Sequence, residues 1–157
     1  MEYWLTSSYR TLLSSLSKAN SRQQNMLLLN EINETFPDLM VEAYDIIAGD
    51  RVTKYQLSFD SESDEADKNP NKHNPHFYVV FDRQKSYLAI NGFCNCSRYV
   101  DQVLIKDNEF TCVHEIVTFI LNYCDPNSDE FVNKAVQKTV YLSDSEYYKK
   151  LAQMRKF

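Results

Sequence analysis

Apolar residues recur at helical spacing through the first third of the chain. Leu5, Tyr9, Leu12, Leu13 and Leu16 fall on one stripe and predict a helix from Tyr3 to Lys18. Asn20-Ser21 interrupts it. Ser21 followed by Gln24 has the form of a capping box. Leu28, Leu29, Ile32 and Phe36 then predict the buried face of a second helix, ended by Pro37. Met40, Ala43, Tyr44 and Ile47 predict a third from Asp38 to Ala48, with Gly49 as its stop. These stripes read as core before they read as a partner surface.

From Arg51 the period shortens to two. Val52, Tyr55, Leu57 and Phe59 predict a strand, and HFYVVF (His76 to Phe81) and SYLAIN (Ser86 to Asn91) predict two more. Asp82 to Lys85 joins the last two as a hairpin loop. Between the first and second strands lies a polar segment, Asp60 to Pro75, acidic in its first half. It reads as a mobile loop, with docking of a basic partner as the functional alternative. His73 and His76 flank Pro75 without a companion at ligand spacing, so both read as exposed or strand-edge residues.

A helix is expected to begin near Glu115, in the apolar run to Leu121. The connector Ser97 to Thr111 carries Tyr99, Val100, Val103, Leu104 and Ile105, which suits a short helix or packed loop. Asp125-Pro126 marks a further helix start, with Phe131, Val132, Ala135 and Val136 facing inward. Ser143 and Glu146 form a second capping box before a final helix carrying Tyr147, Leu151 and Met154. Its end is basic, with Lys149, Lys150, Arg155 and Lys156. The helix dipole favours such an end by itself; contact with nucleic acid is the alternative. The expected class is α+β, one domain overall. Helices occupy residues 1–50, a small antiparallel sheet with a metal finger 51–123, and further helices 124–157.

Composition narrows what such a chain does. Hydrophobic residues make up 43%, with 11 Tyr and 9 Phe among them, enough for a sizeable core. Only 2 Gly argues against phosphate-cradling loops and against a turn-rich sandwich. A net charge of −5 argues against autonomous nucleic-acid binding, because phosphate contacts need basic surface. No apolar run is long enough to span a membrane. With no secretory or lipidation signal, the expected setting is intracellular, with reduced thiols.

The chemistry concentrates between Phe93 and Leu121. Cys94-Asn95-Cys96 is followed by a fifteen-residue connector and then Cys112-Val113-His114. Residues i and i+2 of an extended segment share a side, so Cys94 and Cys96 can face one ion. Cys112 and His114 stand where a helix opens, and its exposed N–H groups favour thiolate over thiol. Three thiolates and an imidazole suit zinc, and four protein ligands leave no position for a reactive water. A redox pair, small buried hydrophobes and a disulfide scaffold remain the alternatives. Cys124, far down the predicted helix, reads as filler and not as a fifth ligand. No acid–base or nucleophilic constellation stands out, which points to a non-catalytic interaction protein.

C-x-C, a connector, then C-x-H running into a helix resembles the SWIM zinc finger, whose core is two strands and a helix. The helical first part and a motif in the second half are similar to the SWIM-bearing subunits of Shu-type complexes. Family members tend to carry alanine three residues after the histidine; Val117 stands there. The resemblance implies a ββα finger with Cys94, Cys96, Cys112 and His114 as zinc ligands. It further implies a nuclear subunit that pairs with a RecA-fold recombinase paralogue. Such subunits promote filament assembly in homologous-recombination DNA repair, with DNA contact mainly through partners. Transposase-derived SWIM fingers that bind nucleic acid directly offer an alternative, and a thiol redox protein is another.

Overall fold

The computed structural model describes Tyr9 and residues 11–16, 20–58, 75–90, 92–123 and 138–155. Outside them lie Leu5, Phe59, His73, Cys124, Lys156, most of the acidic segment, and the helix expected after Asp125-Pro126 with Phe131, Val132, Ala135 and Val136.

Residues 11–15 are helical, within the first predicted helix. Helix α1 (Arg22–Thr35) starts where its cap places it. The Ser21 hydroxyl accepts the Gln24 N–H at 3.2 Å, and the Gln24 side chain accepts the Ser21 N–H at 2.8 Å. Two of the helix's orphan donors are thereby satisfied. Leu29 and Ile32 are buried, together with Asn25, whose amide oxygen accepts from Asn20 at 2.9 Å. Helix α2 (Pro37–Ala48) opens on the proline, whose missing N–H costs nothing in a first turn. Gly49 ends it at φ −81°, and the left-handed turn falls on Asp50 instead, at φ 53°.

Five strands form one mixed sheet, β1 (Val52–Leu57), β2 (His76–Asp82), β3 (Lys85–Ile90), β4 (Phe93–Cys94) and β5 (Lys138–Leu142). Their order is β4-β3-β2-β1-β5. The first four pair antiparallel with their neighbours, whereas β5 lies parallel to β1 at the edge. This corrects two expectations: the sheet is not purely antiparallel, and the region after residue 124 is not purely helical. The β2–β3 connection also differs. Asp82 pairs with Lys85, so the loop shrinks to Arg83 and Gln84, with φ of 46° and 69°. Two left-handed residues match the twist of a tight hairpin. Asp82 therefore belongs to a strand and points inward.

Side chains alternate across the sheet. Tyr78, Val80, Ala89 and Cys94 join the main core, where Met40, Ala43, Ile46 and Ile47 of α2 pack. Helix α3 (Val113–Tyr123) lies in the same core and is the most enclosed element. Every residue from Thr111 to Leu121 is buried. On the other face, Leu57, Phe77 and Leu88 meet Tyr147 of helix α4 (Asp144–Met154). The Glu146 carboxylate closes the second capping box, accepting the Ser143 N–H at 3.1 Å and its hydroxyl at 2.7 Å. The connector is a π-helix, Tyr99–Ile105, wide enough for the Lys106 N–H to reach the Asp101 carbonyl at 3.0 Å. It buries Tyr99 and Val103.

Candidate metal centre

The hairpin from β3 into β4 delivers the first pair of thiols. Gly92 turns the chain at φ 81°, a conformation that side chains disfavour. Phe93 then pairs with Ile90 and Cys94 with Ala89, which sets Cys94 on the core face beside Ala89. Cys96 follows two residues past the end of the strand. The second pair arrives with α3. The Cys112 carbonyl accepts the Ile116 N–H at 3.2 Å, placing Cys112 at the mouth of the helix and His114 in its first turn.

Cys94, Cys96, Cys112 and His114 converge. Their ligand atoms all lie within 4.8 Å of one another, and all four residues are buried. Cys94 Sγ is 3.6 Å from His114 Nδ1. A tetrahedral site with arms of about 2.0–2.3 Å has edges of roughly 3.3–3.8 Å, so the cluster stands within about 1–1.5 Å of that geometry. The three cysteines are free thiols and not a disulfide. Backbone donors already face the sulfurs: the Cys96 N–H lies 3.4 Å from Cys94 Sγ, and the Tyr99 N–H 3.3 Å from Cys96 Sγ. Three sulfurs and one imidazole, buried and convergent, can hold a metal ion.

The imidazole is aimed from behind. Its Nδ1 faces the sulfurs, and Nε2 points at Asp82 Oδ2, 3.5 Å away. Nε2 is buried and has no hydrogen-bond partner among the described residues, so Asp82 is the acceptor toward which a proton there would turn. That proton is required if Nδ1 is to offer a lone pair to a metal. Tyr87 stacks on the ring at 4.5 Å between centroids. Arg51 Nη1 lies 3.6 Å from Asp82 Oδ1 and offsets its charge, while Arg51 also pairs with Asp45. Asp82→Ala is expected to weaken metal binding by about 10–100-fold, with Asp82→Asn in between. Competition against a chromophoric chelator reads both.

A second buried carboxylate ties the two ligand arms together. Glu115, 1% exposed, accepts the Thr111 hydroxyl at 2.7 Å, and the Tyr99 hydroxyl lies 3.4 Å from its other oxygen. Thr111 precedes Cys112, and the Tyr99 N–H faces Cys96 Sγ. Glu115 thus spans both halves of the site. Sequence reasoning missed Asp82, which it assigned to a loop, and gave Glu115 no role beyond the start of a helix. His76 takes no part: its Nε2 lies 2.9 Å from Asn122 Oδ1.

The thiols share their charge unequally. Hydrogen bonds from Cys112 and then Cys94 pull the Cys96 thiol far below its ordinary value. Burial, followed by hydrogen bonds with Cys94 and Cys96, pushes the Cys112 thiol well above it. At Cys94 a hydrogen bond with Cys112 lowers the value, but one with Cys96, together with burial, more than reverses this. Burial and mutual repulsion thus oppose ionising all three sulfurs together when no metal is bound. A metal must displace the protons that remain, so its affinity rises with pH. Log affinity is expected to climb with pH through the neutral range. Chelator competition across that range measures the slope; a flat profile would contradict the assignment.

Fold and site together define a mixed α/β domain with a buried Cys3His cluster. No family model matches the chain, and no curated protein matches it.

Proposed function

We propose that this chain is a non-catalytic zinc-binding subunit of a Shu-type complex, pairing with a RecA-fold recombinase paralogue. In that role it promotes recombinase filament assembly during homologous-recombination repair in the nucleus. One observation carries the reading. The C-x-C and C-x-H pairs, fifteen residues apart along the chain, meet in one buried cluster at the mouth of a helix. The antiparallel β3–β4 pair and α3 supply two strands and a helix around it, which supports a SWIM-type finger. Zinc suits the donor set because it accepts three thiolates and an imidazole tetrahedrally and is redox-silent. With four protein ligands the metal cross-links β4 to α3 and leaves no open position for catalysis.

Acidity of the chain agrees with DNA contact made mainly through partners. Among the described residues, no helix is long and apolar enough to cross a membrane.

The test is the native mass of the tagged protein recovered gently from its own cells. One zinc and a RecA-fold companion are expected, and both should be lost on substituting His114. A soluble, folded His114 variant that still pairs normally would overturn the role assigned to the metal. Tight, steeply salt-dependent DNA binding by the isolated chain would favour a nucleic-acid-binding finger instead. A metal-free protein whose cysteine pair cycles would favour a thiol redox protein.

A further inference from the structure

We infer that helix α4 is part of the metal centre, coupled to it through Asn95, the residue between two of the ligands. The inference rests on the Cys94, Cys96, Cys112 and His114 cluster holding a metal. Asn95 is held at three points. Its N–H donates to the Leu88 carbonyl at 3.1 Å, and its side-chain oxygen accepts the Leu88 N–H at 2.8 Å. Its Nδ2 donates to the Met154 carbonyl at 2.8 Å. The first two bonds carry the β3 pairing one step beyond β4; the third crosses to α4.

Met154 is the last residue of α4, so its carbonyl has no donor within the helix. Asn95 supplies that donor from inside the C-x-C turn. The helix itself packs on the sheet face opposite the ligands, against Leu57, Phe77 and Leu88. Leu88 joins the two systems: its backbone holds Asn95, and its side chain sits in the core beneath α4. A rotation of the Cys94–Cys96 turn that moved the sulfurs would also draw Nδ2 away from Met154.

Thermodynamic linkage follows. Whatever fixes the turn favours docking of α4, and docked α4 favours the turn geometry that the metal requires. The coupling factor is the same in both directions. Among the described residues the core under α4 is smaller than the main one: Leu57, Phe77, Leu88 and Tyr147 are buried in it, with six partly buried hydrophobics packed around them. An element held by so few buried contacts belongs to the part of a protein that opens first. Its docking is therefore what the state of the metal site can bias.

Two variants of the full, zinc-loaded chain test this. Asn95→Ala removes the link and keeps all four ligands. Tyr147→Ala loosens α4 from a position that touches no ligand. Native mass first counts zinc; a wild-type chain without it overturns the site reading, and this proposal with it. With one zinc bound, Asn95→Ala is expected to speed amide exchange in α4 by roughly three- to tenfold, the effect of one hydrogen bond. Protection in α3 should persist. Zinc affinity, measured against a chromophoric chelator, should fall in both variants. Unchanged affinity in Tyr147→Ala despite faster α4 exchange would overturn the coupling. So would unchanged α4 exchange in zinc-loaded Asn95→Ala.

Discussion

Replacing Cys112 with serine is expected to weaken metal binding by about 10²–10³-fold and to loosen the structure from β4 through α3. Serine nearly matches cysteine in size, so packing is little changed and the loss is that of a thiolate donor. Structural zinc sites have apparent binding energies on the order of 10–16 kcal/mol at neutral pH. Losing one donor of four forfeits roughly 2.5–4 kcal/mol, about 10²–10³ in affinity. The effect should exceed that of Asp82→Ala, because Asp82 only orients a ligand. Binding energy in such a site is also folding energy, so thermal unfolding should respond. Chelation of the wild-type protein should lower the melting temperature further than Cys112→Ser does, and chelation of Cys112→Ser should shift it by less than chelation of the wild type. A variant that keeps its metal and its melting temperature would show that Cys112 is only a small buried hydrophobe.

The second large effect is expected on the other face of the sheet. Phe77 is fully buried in β2, the middle strand of five. Its ring lies 5.3 Å from Tyr55 and 5.2 Å from Tyr147, the anchor of α4. Phe77→Ala is expected to cost about 3–5 kcal/mol, from lost burial and from the cavity left behind. That corresponds to a fall of roughly 6–20 °C in melting temperature for a chain of this size. At saturating metal the variant should still carry one ion, since all four ligands lie on the opposite face. Denaturant unfolding in the presence of metal measures the loss. A change below about 1 kcal/mol would mean that α4 and the outer face contribute little to the fold.

What the sequence made legible was local. The capping boxes at Ser21 and Ser143 placed two helix starts, because their partners stand three residues away. The four residues of the cluster were legible as a candidate metal site because thiols and imidazole in paired i, i+2 spacing have few other reasons to recur. Other features depend on neighbours distant in the chain, or on rare backbone states. The turn at Arg83-Gln84 uses two left-handed residues without glycine or asparagine, so the hairpin was legible but its two-residue length was not. Asp82 was assigned to the loop for that reason, and its role behind His114 was hidden. Strand β5 escaped because its partner, β1, lies far earlier in the chain. The π-helix has a wider repeat than the apolar spacing used to find helices. Asn95 gave no sign at all: its role appears only when α4 folds back to present Met154.

These elements share one dependence. The β3–β4 turn, the mouth of α3 and the end of α4 are tied through Cys94, Asn95 and Cys96. If the cluster holds no metal, three buried cysteine sulfurs converge on an imidazole without a purpose that the fold explains. Metal content is therefore the measurement to make first. The untagged protein, purified without chelators and kept reduced, should be weighed under native and denaturing conditions. One zinc per chain is expected in the native spectrum and none after denaturation, with Cys94, Cys96 and Cys112 reduced throughout. A native mass equal to that of the bare chain, with the same thiols intact, would contradict it.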